Sequence, residues 1–268
     1  MITAHQVALG DVALHVAESG SGRPLLLVHG FPLDHRMWEH QMAPLAASHR
    51  VLAPDLRGFG RSSVTPGVVT MEQMADDLAA LLDALRIDEP VVLCGLSMGG
   101  YVAWSFFRRH ARRLRGLILC DTRAAPDSPD AAHNRLAMAE RVLREGTAPL
   151  VETMLPRLFG PRAAERCPAA VEAVREAILA APPAGVAAAL HGMARRSDAR
   201  PLLGAIHVPA LLVVGQHDAI SPSAEMREMA QAMPDARLVE IADAGHLAPL
   251  EQPGDVNRAI GAFLAGLA

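Results

Sequence analysis

The sequence predicts an α/β fold, a parallel sheet with helices on both faces, on three observations. Short runs rich in Val, Leu and Ile alternate with longer segments of helical period. Several of those runs are almost wholly apolar, as strands covered on both faces must be. The chain has 268 residues, 51% of them apolar and 20% charged, which is enough for one large domain to close a core without a disulfide or a metal.

The N-terminus alternates apolar and polar residues through Val7, Leu9, Val12, Leu14 and Val16. Strands are predicted at 12–17, 25–28, 51–53, 91–94, 117–120, 211–214 and 238–241. A helix is predicted over 37–47 and another over 71–85. In the second, Thr70 and Gln73 have capping-box spacing, and Met74, Leu78, Leu81, Leu82 and Leu85 share one face. From about 124 to 199 the alternation stops. Helical stretches near 129–145, 147–158, 163–181 and 184–195 replace it, punctuated by Pro156, Pro161, Pro168, Pro182 and Pro183. The predicted organisation is therefore 1–123, first part of the sheet domain; 124–200, a helical insertion; and 201–268, the second part. The apolar side of the insertion is expected both to pack on the sheet domain and to line a pocket.

Composition removes several kinds of chemistry. All 25 basic residues are Arg and none is Lys. Without an ε-amine there is no Schiff-base lysine, no P-loop lysine and no kinase strand lysine. A net charge of −4 and a pI near 6.3 argue against nucleic acid as a partner. The run Arg108, Arg109, Arg112, Arg113 and Arg115 reads as a solvated helix end. The chain begins without a basic segment followed by an apolar stretch, so no secretory signal is read. The longest apolar runs fall far short of the ~20 residues that span a bilayer. Cys94, Cys120 and Cys167 are odd in number and read as free thiols in a reducing cytoplasm. No C-x-x-C or H-E-x-x-H occurs, and His35 and His40 are five apart where a helix needs four, so neither a metal nor another cofactor is expected.

The segment Gly95-Leu96-Ser97-Met98-Gly99 joins an apolar strand to a helical stretch. A serine on such a sharp turn is forced into a strained backbone that presents its hydroxyl, and glycine two positions to either side avoids clashes. A nucleophilic serine needs a base on a later loop. His246, in Ala244-Gly245-His246-Leu247 after the strand at 238–241, meets that need. A carboxylate must orient the imidazole. Asp218, beyond the strand at 211–214, is favoured, and Asp121, after 117–120, is its rival. Asp243, three residues before His246, serves its own turn. Developing charge on a substrate oxygen needs two backbone donors. The N–H of Met98 is one, and His29-Gly30-Phe31-Pro32 offers the N–H of Phe31 as the other.

These segments, with Asp55-Leu56-Arg57-Gly58-Phe59-Gly60-Arg61-Ser62 between them, resemble the α/β-hydrolase superfamily in order and spacing over about residues 10–265. The resemblance is closest to the branch of 3-oxoadipate enol-lactonases and small carboxylesterases with a helical cap. It implies an α/β-hydrolase fold, a mostly parallel eight-stranded sheet with a cap insertion. Carried over position by position, it implies catalytic Ser97, Asp218 and His246 with an oxyanion hole from Phe31 and Met98. Serine at position 97 argues against the dehalogenases and epoxide hydrolases of that fold, which use aspartate there. The expected activity is serine-dependent hydrolysis of a small-molecule ester or lactone through an acyl-serine intermediate. The alternatives are a slow-turnover ligand receptor, a C–C bond hydrolase and a cofactor-free haloperoxidase. Arg123, Arg195 and Arg196 are read as surface charge ahead of carboxylate recognition. The expected setting is cytoplasmic, without nucleic acid or membrane as partner, and it is compatible with a homo-oligomer.

Overall fold

The computed structural model describes residues 1–267. Eight strands form one sheet in the order β1-β2-β4-β3-β5-β6-β7-β8. They are β1 (Thr3–Leu9), β2 (Val12–Ser19), β3 (Arg23–Val28), β4 (His49–Pro54), β5 (Val91–Leu96), β6 (Leu114–Cys120), β7 (Ala210–Gly215) and β8 (Ala236–Ile241). β1 and β2 run antiparallel to their neighbours, and β3 to β8 form a parallel ladder. Every residue of β5 and β7 is buried, and β3 is buried beyond Arg23, which is why these segments read as unbroken apolar runs. The edge strands β1 and β8 alternate exposed and covered positions instead.

One strand escapes the sequence reading. β1 is paired with β2 from Thr3↔Glu18 to Leu9↔Val12, and the two-residue turn Gly10-Asp11, with Gly10 at φ 75°, joins them. The alternation through Val16 is thus two strands, with Gly-Asp as the hairpin signal between them.

The helices are α1 (Glu39–Leu45), α2 (Met71–Ala84), α3 (Met98–His110), α4 (Pro129–Glu145), α5 (Ala148–Leu158), α6 (Ala163–Arg166), α7 (Pro168–Ala180), α8 (Pro183–Met193), α9 (Ser223–Ala232), α10 (Ala248–Glu251) and α11 (Pro253–Ala265). α2 starts as predicted: Gln73 N donates to Thr70 Oγ1 at 3.1 Å, and Met74, Leu78, Leu81 and Leu82 are buried. The segment at 37–47 divides into a 3-10 turn, His35–Trp38, and the shorter α1. The stretch at 163–181 is also two helices. Pro168 has no N–H to continue α6 and instead opens α7 as its first residue.

Between β6 and β7 the chain is helical from α4 to α8. Its two ends meet where Ala199 N donates to Ala124 O at 2.9 Å. Beside that neck Arg196 is 2.6 Å from Asp127, with both side chains buried, and its guanidinium lies 4.2 Å from the centre of the Tyr101 ring. The insertion leans on the loops at the carboxyl edge of the sheet. Val69 N donates to Ala188 O, Leu247 N donates to Leu158 O, and Gly58 meets Gly185 backbone to backbone. Among the described residues no single helix is long and apolar enough to cross a membrane, although α7 and α8 together pass that test as a pair bent by 96°.

Candidate active site

The parallel register brings the ends of β3, β5, β6, β7 and β8 to one edge, because Val28 pairs with Gly95, Leu96 with Cys120, Cys120 with Val213 and Gly215 with Ile241. The loops that leave this edge carry Phe31, Ser97, Asp121, Asp218 and His246. In an open parallel sheet this is where ligands bind.

Ser97 stands between β5 and α3 at φ 53°, ψ −109°, a left-handed backbone that serine seldom adopts. Its own N–H donates to Cys120 O at 2.9 Å, and its carbonyl accepts from Thr122 Oγ1 at 2.8 Å. Both bonds tie the turn to β6 and hold the strain in place. A Cβ on Gly95 would strike the Gly99 carbonyl, and one on Gly99 would strike the Val28 carbonyl, so the glycines two before and two after Ser97 are sterically required.

His246 is almost fully buried, and its Nδ1 is 2.8 Å from Asp218 Oδ2. The other oxygen of Asp218 accepts from Ile220 N at 2.7 Å and Ser221 N at 2.9 Å. Three donors therefore converge on this carboxylate and fix its rotamer. The loop is sewn to the histidine loop by Gln216 N to Ile241 O and His217 N to Ala244 O. Asp121 holds a different place: fully buried at φ 47°, it accepts Gly215 N at 2.8 Å and makes no bond to His246.

The loop after β3 is locked by His29. Leu56 N donates to Nε2 at 2.9 Å, so the ring proton resides on Nδ1, 3.0 Å from Gly30 O. Burial pushes the pKa of His29 down and keeps it neutral. A Cβ on Gly30 would lie 3.4 Å from Ser97 Cβ, which shows how near this loop comes to the serine. Phe31 rests edge-on against Phe59, ring centroids 6.0 Å apart. Among the described residues, neither Phe31 N–H nor Met98 N–H donates to an acceptor within the chain. For Met98 this follows from its place at the first turn of α3, where helix amides lack intrahelical partners.

Several contributors were not visible as motifs. Glu251 accepts Gly245 N and Gly160 N, each at 2.8 Å, and so joins the His246 loop to the insertion. Burial raises its pKa against the effect of those donors. Arg196, read from sequence as surface charge, is instead buried: it pairs with Asp127 and donates to Ala125 O at 3.0 Å. Arg123 forms a two-pronged pair with Glu225, and Arg195 is exposed. Linear spacing offered no metal-ligand cluster, yet folding brings His15, His35 and Asp55 together. The Asp55 oxygens already accept from His35 N, His35 Nδ1 and Arg61 N, bonds that account for the group as a loop anchor. The three cysteines are free, Cys94 and Cys120 buried on adjacent strands.

Comparison with known proteins shows the family and the fold. The α/β-hydrolase fold family model matches residues 23–253. The chain is 30% identical to 3-oxoadipate enol-lactonase 2 of Acinetobacter baylyi over 256 residues, 95% of this chain and 94% of that one. A malate-bound thermophilic esterase from Thermogutta terrifontis superposes with TM-score 0.96 at 50% identity, covering 99% of each chain. The enol-lactonase of Burkholderia xenovorans superposes with TM-score 0.90 at 33% identity, over 97% of this chain and all of that one. An eight-stranded, mostly parallel sheet, a serine on a strained strand-to-helix turn and these matches over nearly the whole length lead to one assignment: the chain belongs to the α/β-hydrolase family of enzymes.

Proposed function

We propose that this enzyme hydrolyses small carboxylic esters or lactones through an acyl-Ser97 intermediate. The observation that carries the proposal is the buried Asp218–His246 pair, 2.8 Å apart, at the same sheet edge as a serine at φ 53°. Ser97 Oγ attacks the carbonyl carbon while its proton passes to His246 Nε2. The new oxyanion takes hydrogen bonds from the N–H groups of Phe31 and Met98, which have no other acceptor among the described residues. Collapse breaks the bond to the leaving oxygen, which receives the proton from His246. Water then attacks the acyl-Ser97 carbonyl and gives its proton to the same nitrogen; collapse breaks the bond to Ser97 Oγ, which takes that proton back from His246 as the acid leaves. Asp218 holds His246 in the tautomer with its proton on Nδ1 and stabilises the imidazolium.

The ester or lactone class is supported by the esterase and enol-lactonase relatives, and nothing in this cycle requires a metal or an organic cofactor. Residues 124–200 are the cap that roofs the site, a role supported by the bonds that Leu247 N donates to Leu158 O and Gly160 N donates to Glu251. The free cysteines favour a cytoplasmic setting. Steady-state hydrolysis of p-nitrophenyl acetate, butyrate and octanoate and of one unactivated lactone, by the wild type and Ser97→Ala, tests the proposal. Multiple turnovers abolished in Ser97→Ala are expected. A single-turnover burst, or equal rates in the two proteins, would overturn it.

A further inference from the structure

Asp121 is a second buried carboxyl behind the first, and the cycle above does not use it. Ser221 bridges the two residues, its N–H donating to Asp218 Oδ1 and its hydroxyl to the Asp121 carbonyl, which brings the carboxyls near enough for the Asp218 charge to act on Asp121. One oxygen, Oδ1, accepts Gly215 N at 2.8 Å; the other, Oδ2, is buried with no donor to it among the described residues. Two carboxyl groups this near each other and away from water cannot both ionise, so one proton must be kept between them. Asp218 accepts three donors, Ile220 N, Ser221 N and His246 Nδ1. Asp121 has one, and its orphaned oxygen needs either a donor or a proton of its own.

We propose that Asp121 is a neutral carboxylic acid whose proton sits on Oδ2 and is donated to the Asp218 carboxylate, making it a positioning residue for the acid that orients His246. The role assigned to the pair rests on the catalytic reading given above, whereas the location of the proton does not. The left-handed backbone of Asp121 at φ 47° and the bond from Ser221 Oγ to its carbonyl, at 3.0 Å, hold the carboxyl in this position. Burial first, and then the Asp218 charge, hold the Asp121 carboxyl well above the usual carboxylate range. The Cys120 thiol is the other titratable group against it, and its own pKa is also raised, by the hydrogen bond with Cys94 and by burial. Beyond Asp218 stand His246 and, at longer range, Glu251. A hydrogen bond from Asp121 fixes the second face of Asp218. With both faces of Asp218 held, the carboxylate keeps its aim on His246 Nδ1 through the cycle.

The test joins infrared spectroscopy to the pH profile of kcat. At neutral pH the wild-type minus Asp121→Asn difference spectrum is expected to show the C=O stretch of a protonated carboxylic acid; absence of that band overturns the proposal. Because the subtraction isolates Asp121, a protonated Glu251 does not contribute. Asn donates from Nδ2 as the acid does from Oδ2, so Asp121→Asn is expected to keep kcat within about threefold, with the acidic limb unmoved. Asp121→Leu removes the donor. It is expected to lower kcat about tenfold to a hundredfold at constant KM and to move the acidic limb upward, because the Asp218 charge then has one donor fewer and attracts the imidazolium more strongly. A downward shift of that limb in Asp121→Asn would mean that Asp121 had been ionised, and the proposal fails. Should Asp121→Leu not fold, the band and the Asn profile decide. Should the wild type turn over no ester, the catalytic reading fails and the band alone still decides where the proton lies.

Discussion

Asp218→Asn isolates the part of the mechanism that depends on a proton's position. Asp218 Oδ1 accepts two backbone amides, Ile220 N at 2.7 Å and Ser221 N at 2.9 Å. In the variant only the amide oxygen can take that place, so the NH2 group must turn toward His246 Nδ1. That nitrogen then has to accept, and the ring proton moves to Nε2, the atom that must receive the proton from Ser97. The base is present in the wrong tautomer. A loss of about a thousandfold to ten-thousandfold in kcat is expected, equivalent to ~4–5.5 kcal/mol, with KM little changed. The assay is initial-rate hydrolysis of p-nitrophenyl butyrate, with urea unfolding to confirm that the variant is folded. If Asp218→Asn keeps more than about a tenth of wild-type kcat while Asp121→Asn loses activity, the orienting carboxylate is on β6 and this reasoning is refuted.

Three further outcomes follow from the packing. Arg57, its side chain 3% exposed, makes a two-pronged pair with Asp77 at 2.7 and 2.6 Å; its other partners are the exposed Asp11 and Thr65. Asp77→Ala should cost about 3 kcal/mol in urea unfolding, the lower end for breaking a buried pair because Asp11 remains, and a loss below about 1 kcal/mol would contradict this. The raised pKa of Asp121 means that the folded chain keeps a proton which the unfolded chain releases above the ordinary carboxyl value of 3.8. Stability therefore falls with rising pH from there until the folded group ionises, by about 1.4 kcal/mol per pH unit from this residue. Asp121→Asn should lack that component and gain on the wild type between pH 4 and 6; parallel stability curves would contradict it. Gly99→Ala places a methyl against the Val28 and His29 carbonyls and should cost about 3 kcal/mol or prevent folding, with a wild-type melting temperature as the contrary result.

The residues that could be found in the sequence are those whose chemistry and local context coincide. Ser97 is flanked by glycines that the turn requires, and His246 and Asp218 follow apolar strands, so type and position point the same way. Choosing between Asp218 and Asp121 depends on how far each loop travels past its strand, which the pattern of residue types leaves open. Glu251 has no local signal at all: its partners Gly160 and Gly245 are 91 and 6 residues away, and only the seating of the insertion brings them together. Arg195 and Arg196 look alike in sequence, yet in the turn that follows α8 one is exposed and the other is buried beside Asp127. β1 and the break at Cys167-Pro168 escape the reading because their signals, Gly10-Asp11 and Pro168, are weaker than hydrophobic period.

The central claim is that Ser97 becomes acylated during turnover. An organophosphate ester such as diethyl p-nitrophenyl phosphate traps the same nucleophile as a stable adduct, and digestion at arginine isolates Ser97 in the peptide 87–108, which also contains Ser105. The account predicts one diethylphosphoryl group per chain, located by fragmentation on Ser97, with parallel loss of esterase activity and no label in Ser97→Ala. A label on Ser105 or elsewhere, or inactivation that persists in Ser97→Ala, would contradict it.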